Sequence, residues 1–123
     1  MILFKPEHVE PIIDGTKTET RRIWKRCRVR VGSEHLACTR PMWCKPPGKP
    51  FARLLILAHR EELLGAIDEA GAIAEAYPDV ATYLSAFLRI NRINDTAGLF
   101  LNENVHVVKF RCLEDLRVRE YPR

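Results

Sequence analysis

With 123 residues, of which 46% are hydrophobic, the chain has the length of one domain with a buried core. It holds no apolar run of about 18 residues and its apolar start is too short for a signal peptide, so the composition argues against a membrane protein and predicts a cytoplasmic one. The net charge of +4 is unevenly distributed, because residues 1–60 carry 13 Lys/Arg against 5 Asp/Glu, whereas residues 61–123 carry 7 Lys/Arg against 11 Asp/Glu. The basic first half predicts an anionic partner such as nucleic acid. The alternative is that its cations are simply solvated.

The start of the chain predicts a short strand and a short helix. Residues 2–4 are apolar and form the expected opening strand, and Pro6 suits the first turn of the helix that follows. Gly15 is the expected end of this helix, and Pro11 is expected to shorten or kink it. The helix carries apolar side chains at helical spacing, namely Val9, Ile12 and Ile13.

Two further strands, a loop and a central strand come next. Residues 17–24 predict the second extended segment, and the third lies around residues 34–39. Residues 41–50 hold four prolines and a glycine, which is typical of a loop, and this loop carries the exposed-looking Trp43. Residues 51–59 are strongly apolar and predict a central strand, with a short buried helix as the alternative.

The segment from residue 67 to residue 91 is helical in character. Asp68 can cap a first helix that reaches Tyr77. Pro78 or Asp79 then opens a second helix, which has apolar side chains at helical spacing. Tyr77, Tyr83 and Phe87 are expected to pack in the core rather than to stack on a base.

The chain closes with a turn, a strand and a charged tail. Residues 94–98 predict the turn and residues 105–113 alternate in polarity as a last strand, whereas residues 114–123 form the tail. Strands, a short helix, more strands, a helical insertion and a closing strand predict an α+β fold with a closed or nearly closed β-barrel, formed by a domain of residues 1–113.

The most informative segment is residues 15–22, where one lysine, three threonines and two arginines follow the predicted helix stop. A hydrophobic core needs no such set, but it suits a site that holds a polyanion or polarises a carbonyl or phosphoryl oxygen, because it places cations beside hydroxyls. In a regular strand Lys17 and Thr20 lie on opposite faces. They can therefore meet only if the turn at Gly15 or a bulge re-aims the start of the strand.

A basic run continues to residue 30, with no acid after Arg21. If this run is extended, its arginines and Trp24 lie on one side. The side chains that face the core are then Ile23, Cys27, Val29 and Val31. Cations that follow phosphates and an indole that stacks on a base are typical of single-strand binding, and the alternative is that Trp24 packs inside and the arginines are solvated. The predicted nucleic-acid-binding residues are Arg21, Arg22, Trp24, Lys25, Arg26, Arg28, Arg30 and Trp43.

The cysteines and histidines show no metal-binding spacing. The four cysteines are Cys27, Cys38, Cys44 and Cys112. His35 could complete a zinc site with the first three, but the irregular gaps favour free, mostly buried thiols in a reducing compartment. The sequence therefore predicts no metal and no cofactor, and no role is assigned to the four scattered histidines, His8, His35, His59 and His106.

Several short motifs occur in a set order along residues 1–113. They are Phe4-Lys5-Pro6, a helix ending at Gly15, Lys17-x-x-Thr20-x-Arg22, Val31-Gly32-Ser33, Ala74-Glu75-Ala76-Tyr77 and Val107-Val108-Lys109-Phe110. This order resembles the ASCH domain of the PUA-like superfamily. The resemblance implies a small PUA-like β-barrel with short helices packed beside it, and a cleft between the barrel and the helical insertion.

The resemblance also implies a role in RNA metabolism. Some members of the family are thought only to bind RNA, others cleave it, and one branch hydrolyses the amide of cytidine acetylated on its exocyclic amine. The functional positions of that branch fall here on Lys17, Thr20 and Glu75. The compact members of the branch lack the basic and proline-rich stretch of residues 25–50.

These three residues make chemical sense together. A desolvated Lys17 beside Arg21 and Arg22 would have its pKa lowered enough to take the hydroxyl proton of Thr20, and Glu75 could relay a proton to the leaving amine. Arg22 could stabilise an oxyanion or bind a phosphate. The structural alternative is that Lys17 and Glu75 are surface charges or pair with each other for little stability, and that Thr20 is an ordinary strand residue. Glu69 or Asp68 could also take the role of Glu75.

We therefore expect an RNA-associated ASCH-type protein that binds RNA, a nucleotide or a modified nucleoside in a basic cleft lined by Lys17, Thr20, Arg22 and Glu75. The alternatives are a hydrolase that acts on the acetylcytidine amide or on RNA phosphodiester bonds, and a protein-interaction module that uses the proline-rich loop. No membrane partner is expected, and the sequence leaves the oligomeric state open.

Overall fold

The computed structural model describes residues 1–95 and 98–117. Within these residues the strands are β1 (Ile2–Leu3), β2 (Glu19–Arg22), β3 (Glu34–Cys38), β4 (Ala52–Leu63) and β5 (Asn104–Asp115). The α-helices are α1 (Val9–Asp14), α2 (Glu69–Ala74) and α3 (Val80–Ile90). Short 3-10 turns lie at Pro6–His8, Leu64–Ala66 and Leu99–Asn102. None of the described helices has the length and apolar character needed to cross a bilayer.

The described strands form a single sheet in the order β1-β3-β4-β5-β2. β1 runs parallel to β3, and all other pairs are antiparallel. The two central strands, β4 and β5, are twelve residues long, and their pairing shifts register after Arg53 and after Ile56. Register shifts of this kind bend a strand pair, and the sheet curls into a half-barrel whose edges are β1 and β2. The predicted α+β, PUA-like class is confirmed.

Both faces of β5 are apolar because both faces are covered. Val108 and Phe110 belong to a core that includes residues of β1, α1 and β4, whereas Val105 and Val107 belong to a second core with residues of α2 and α3. Since successive strand residues point to opposite faces, one strand serves both cores. The sheet thus separates α1 from α2 and α3.

Helix α1 ends where the sequence predicts. Gly15 follows it with a φ of 86°, a left-handed conformation that favours glycine. Pro11 is the third residue of the helix, where a backbone N–H would have no acceptor within the helix, so the proline removes no helical hydrogen bond. The carbonyl oxygen of Pro11 instead accepts a hydrogen bond from the backbone N–H of Lys17 at 2.9 Å, which folds the chain back toward β2.

Helices α2 and α3 begin at the predicted aspartates. The carboxylate of Asp68 accepts a hydrogen bond from the Gly71 N–H at 2.8 Å, and that of Asp79 accepts one from the Thr82 N–H at 2.7 Å. Helix α2 ends at Ala74, earlier than the predicted end at Tyr77.

The segment after β2 differs from the sequence-based expectation. β2 ends at Arg22, and residues 23–31 have no strand partner, so the alternation expected for an extended run does not apply to them. Of the residues expected to face the core, Val29 packs against the buried residues around Phe110. The expectation is wrong for Ile23 and Val31, because their exposed fractions are 45% and 57%.

The central strands are longer than predicted, because each supplies the hydrogen-bonding partner of the other along its whole length. Their pairing extends from Ala52 opposite Asp115 to Leu63 opposite Asn104. The first two residues of the predicted tail therefore belong to β5. Residues 118–123 of that tail, and residues 96–97 of the predicted turn, lie outside the described residues.

Candidate functional site

A cavity of about 280 Å³ lies in the opening between the two edges of the half-barrel. Leu3 and the residues after it contribute one wall from the β1 edge, and residues 20–22 contribute another from β2. The segment after α2 and helix α3 cover the remaining side, with Glu75 just beyond the end of α2 and Tyr83 within α3. The cavity therefore occupies the cleft between sheet and helices that the resemblance implies.

Lys17 enters this cavity because it precedes the regular strand. β2 begins at Glu19, so the strand alternation that would place Lys17 and Thr20 on opposite faces starts after Lys17. The backbone N–H of Thr18 donates to the carbonyl oxygen of Ala74 at 2.8 Å, which brings this part of the chain to the end of α2. Lys17, Thr20 and Glu75 all line the same cavity.

Glu75 lies between two buried cations. Its Oε1 is 2.6 Å from Nζ of Lys17 and its Oε2 is 3.1 Å from Nη1 of Arg21, and all three side chains are nearly inaccessible to solvent. Nζ of Lys17 also contacts the backbone carbonyl oxygen of Glu75 at 3.3 Å. Arg21 also pairs with Glu62 and Glu19, whereas Glu75 is the carboxylate that Lys17 contacts and shares with Arg21.

The environment lowers the pKa of Lys17 below its ordinary value of 10.5. Burial is the largest cause, and the positive charges of Arg22 and Arg21 act in the same direction, whereas the carboxylate of Glu75 opposes them. Since burial is the largest of these effects, the carboxylate of Glu75 does not reverse the shift in pKa. A neutral lysine amine is therefore more accessible here than on a protein surface, as the sequence analysis expects.

Thr20 is buried and in contact with Arg22. Nε of Arg22 donates to Oγ1 of Thr20 at 3.0 Å, and the Arg22 guanidinium lies 4.8 Å from the centre of the Phe4 ring. Arg22 remains a cation, because arginine does not lose its proton in proteins. This hydrogen bond occupies one lone pair of the threonine oxygen and stabilises negative charge on it.

Arg21 is not part of an open basic surface. It is 5% exposed, and its guanidinium donates to Glu62 at 3.0 and 3.1 Å as well as to Glu75 and Glu19. It also lies 5.8 Å from the centre of the Tyr83 ring. These neighbours already satisfy the guanidinium, which lines the cavity beside Glu75, and the assignment of Arg21 to nucleic-acid binding stays a prediction.

An aromatic wall faces the polar residues of the cavity, and the sequence analysis placed its side chains only in the core. Tyr77 and Tyr83 stack with centroids 5.6 Å apart and an interplanar angle of 15°, and Phe87 meets Tyr83 edge-on. Tyr83 and Phe87 belong to the second core and also line the cavity. Burial, followed by the charge of Glu75, raises the pKa of Tyr83, which keeps its hydroxyl protonated.

His8 completes this wall, although the sequence analysis gave it no role. Its Nε2 is 3.0 Å from the hydroxyl of Tyr77, and its ring meets the Tyr77 ring edge-on. Burial, then the charges of Lys17, Arg22 and Arg89, lowers the pKa of His8 to about 4. The ring is therefore neutral near pH 7, where it offers one hydrogen-bond donor and one acceptor.

The rest of the predicted nucleic-acid-binding residues lie apart from the cavity. Trp24 packs against the first core and its ring is 5.8 Å from that of His106, so the alternative in which Trp24 packs inside describes its position. Trp43, on the proline-rich loop, is 77% exposed. The exposed cations that follow β2 are Lys25, Arg26, Arg28 and Arg30.

The four cysteines are free thiols, of which Cys38 is buried and the other three are half-buried. Among the described residues, the side chains that could hold a metal ion together are Cys27, His59 and His106. Cys38 and Cys44, which the sequence analysis considered with His35 as an alternative zinc set, do not belong to this group.

No protein-family model and no curated protein matches this sequence. Among solved structures, the chain is similar to an Enterococcus faecalis protein of the DUF984 family, with a TM-score of 0.63 and 14% identity over 95% of this chain and 76% of that one. It is also similar to a mutant of ZmASCH from Zymomonas mobilis, with a TM-score of 0.61 and 16% identity over 94% of this chain and 70% of that one. A third similar structure is the ASCH domain from Lactobacillus crispatus, with a TM-score of 0.54 and 16% identity over 85% of this chain and 69% of that one. Identities this low establish the fold alone, and that fold is ASCH-like.

Proposed function

We propose that this chain is an amide hydrolase that removes the acetyl group from the exocyclic amine of an acetylated cytidine nucleoside or nucleotide. The observation that carries the proposal is that Lys17, Thr20 and Glu75 line one cavity, with the lysine and the glutamate in contact at 2.6 Å. These are the residues that match the functional positions of the amide-hydrolysing branch of the ASCH family.

Thr20 supplies the nucleophile in this proposal. Oγ1 attacks the acetyl carbon while the neutral amine of Lys17 takes the hydroxyl proton, and the carbonyl electron pair moves onto the acetyl oxygen. The lowered pKa of Lys17 supports its role as the base. The guanidinium of Arg22, held 3.0 Å from the threonine oxygen, lies close enough to stabilise the negative charge that develops beside it.

The intermediate then breaks at its carbon–nitrogen bond. The carbonyl re-forms, the exocyclic amine of cytidine leaves with a proton that Lys17 donates directly or through Glu75, and an acetyl ester remains on Thr20. Water hydrolyses this ester to acetate and restores the hydroxyl. The 2.6 Å contact between Nζ of Lys17 and the carboxylate oxygen Oε1 of Glu75 supports this proton transfer.

The aromatic wall supports a nucleobase as the group beside the reacting amide. The stacked pair Tyr77 and Tyr83 presents ring surface to the cavity, and base–aromatic stacking tolerates any base. His8, neutral near pH 7, contacts the Tyr77 hydroxyl through Nε2 and keeps Nδ1 to read a polar edge of the base. A volume of about 280 Å³ lies near the lower end of the range for small-molecule sites, which suits one nucleoside rather than a folded RNA.

The enzymatic proposal is tested by the release of acetate from acetylcytidine and its monophosphate. We expect turnover by the wild-type chain and a loss of at least about 100-fold in Thr20→Val, which keeps the shape of the side chain and removes the hydroxyl. Thr82→Val is the matched control, since Thr82 lies on the exposed side of α3. Absence of turnover by the wild-type chain, or equal activity of the two variants, would refute this function.

A second candidate function is binding of single-stranded RNA by the exposed basic segment. Four cations without an intervening acid support it, because such clusters attract phosphates and release counterions. We expect affinity for a short single-stranded RNA to fall steeply with added salt, and to fall further in Arg26→Ala and Arg28→Ala but not in Arg111→Ala, an exposed arginine of β5. Affinity that responds neither to salt nor to these variants would exclude this candidate.

A further inference from the structure

Three side chains that could bind a metal meet at one place outside the cavity. His59 lies on β4 and His106 on β5, and Cys27 lies in the irregular segment after β2. Their ligand atoms all lie within 4.8 Å of one another. None of the three lines the cavity described above, so the amide-hydrolysis proposal does not use them.

Hydrogen bonds fix which atom of His106 is free. Its Nε2 is 2.9 Å from the backbone carbonyl oxygen of Trp24, which can only accept, so Nε2 carries a proton. The Nδ1 of the neutral ring therefore presents a lone pair, and this atom faces Nε2 of His59 at 2.9 Å. A second partner that orients the ring and fixes its tautomer is a common property of metal-binding histidines.

The third donor is in a position to join these two nitrogens. Cys27 is half-buried and its Sγ donates a hydrogen bond to the backbone carbonyl oxygen of Val29 at 3.0 Å. A thiol loses its proton when it binds a metal, so binding would exchange this hydrogen bond for a metal–sulfur bond and release one proton. His59 would keep its single proton and move it to Nδ1, which leaves Nε2 free to bind.

We propose that Cys27, His59 and His106 form a zinc-binding site through Sγ, Nε2 and Nδ1 respectively. One thiolate and two imidazoles are a donor set that suits Zn²⁺, and three protein ligands leave a fourth tetrahedral position for water. With zinc–nitrogen bonds of about 2.0–2.1 Å, tetrahedral geometry places the two nitrogens about 3.3 Å apart. The observed 2.9 Å thus requires the two rings to separate by only about half an ångström.

The neighbourhood of the three ligands is also suited to a cation. The carboxylate of Glu61, opposite His106 in the strand pairing, has its Oε1 3.8 Å from Nε2 of the same ring. This carboxylate faces the ring nitrogen that points away from the proposed metal. It would therefore help to orient the ring of His106, as carboxylates next to zinc-binding histidines do. The ring of Trp24 and the ring of His59 restrict the positions available to His106. The centroids of the two stacked imidazole rings are 5.2 Å apart.

The proposed site has a structural consequence that is independent of catalysis in the cavity. Cys27 lies within residues 23–31, which have no strand partner, whereas both histidines lie on the long central strands. A bound zinc ion would therefore fasten the segment that carries the exposed cations to the centre of the sheet. Metal binding of this kind stabilises the folded state relative to the unfolded chain.

Titration of the full-length chain with Zn²⁺ in competition with a chromophoric chelator tests the site, after removal of metal carried through purification. We expect one equivalent to bind, and at least about 100-fold weaker binding in Cys27→Ser and in His59→Gln. Cys44→Ser and His35→Gln are matched controls of the same residue types that should bind as the wild type does. Binding of less than one equivalent, or equal affinity in Cys27→Ser and Cys44→Ser, would overturn the proposal.

Titration of the wild-type chain with Co²⁺ gives a second measurement that does not depend on the folding of a variant. A site with one thiolate predicts a thiolate-to-cobalt charge-transfer band in the near ultraviolet together with the visible bands of a tetrahedral ion. Amide hydrogen exchange within residues 23–31 should slow when Zn²⁺ is added. A cobalt spectrum without the thiolate band would exclude Cys27 as a ligand and overturn the assignment.

Discussion

Replacing Glu75 by glutamine tests the charge balance of the cavity most directly. The substitution keeps the shape of the side chain and removes the single negative charge that faces both Lys17 and Arg21. Arg21 keeps the carboxylates of Glu62 and Glu19 as partners, whereas Lys17 keeps only uncharged acceptors, namely the amide oxygen of the new side chain and the backbone carbonyl oxygen of residue 75. The cost of the substitution therefore falls mainly on Lys17.

The size of this cost has an upper limit, because Lys17 can lose its proton instead of remaining charged without a partner. Its ordinary pKa is 10.5, so neutralising it costs about 5 kcal/mol at pH 7 and about 2 kcal/mol at pH 9. Breaking a buried ion pair by removing one partner costs about 3–5 kcal/mol. This cost lies within the limit for neutralising Lys17 at pH 7 but exceeds the limit at pH 9. We therefore expect Glu75→Gln to lower the free energy of unfolding by about 3–5 kcal/mol at pH 7 and by no more than about 2 kcal/mol at pH 9.

The sign follows from the pKa of Lys17. Burial already lowers this pKa in the folded wild-type chain, so stability rises with pH between the lowered value and 10.5. The carboxylate of Glu75 opposes the shift, and its removal lowers the pKa of Lys17 further. The variant thus gains more stability than the wild type as the pH rises, and the difference between them shrinks.

Denaturant unfolding followed by circular dichroism at pH 7 and pH 9 measures this effect. Glu62→Gln is the matched control, because Glu62 contacts Arg21, which does not titrate in this range, and its effect should be smaller and the same at both pH values. If the loss in Glu75→Gln were equally large at pH 9, Lys17 would not be the group that carries the cost, and the argument for its role as a base would fail with it.

Three further predictions concern His8 and the ends of helices. Burial is the largest cause that lowers the pKa of His8 from 6.5 to about 4, so the free energy of unfolding should fall as the pH drops from 6.5 to 4. His8→Gln should flatten this part of the pH profile of the free energy of unfolding, as measured with denaturant. Asp68→Ala should lower the free energy of unfolding by about 1 kcal/mol through loss of the cap, whereas Glu69→Ala should change it by less than half as much, as judged from denaturant midpoints. Gly15→Ala should cost about 1 kcal/mol in thermal or denaturant unfolding although no atom lies within 4 Å of the added carbon, and a neutral result would contradict the left-handed conformation.

The sequence predicted most of the elements because their signals are local. The caps at Asp68 and Asp79 and the stop at Gly15 each depend on side chains within a few residues. The length of β4 and β5 could not be read in this way. Hydrophobic alternation fades toward their ends, but pairing between the two strands continues, since hydrogen bonding along a ladder does not require apolar side chains.

Only the resemblance to the ASCH domain predicted from the sequence that Lys17, Thr20 and Glu75 meet. Strand alternation by itself argued against a meeting of Lys17 with Thr20, and the backbone contacts of Lys17 with Pro11 and of its neighbour with Ala74 determine where the regular strand begins. The aromatic wall was missed for another reason. Helical periodicity identifies a buried face, but it does not distinguish a face packed into a core from one that also lines a cavity, as Tyr83 does.

The group formed by Cys27, His59 and His106 shows the limit of spacing arguments. Motif spacing detects ligands that are close in sequence, whereas these three are brought together by the pairing of two long strands and by the course of an irregular segment. Scattered histidines can be recognised as neighbours only when the register of the strands is known.

The gap between the two edge strands, β1 and β2, has a consequence for the size of the molecules that can enter the cavity. Because these two strands do not pair with each other, their separation can widen or narrow while every ladder of the described sheet stays intact. Helix α1 and its flanking turns join them, and so act as a spacer that sets the width of the entrance. Lengthening or shortening the turns on either side of α1 would change the girth of the accepted compound, while Ile12 of α1 keeps its place in the first core.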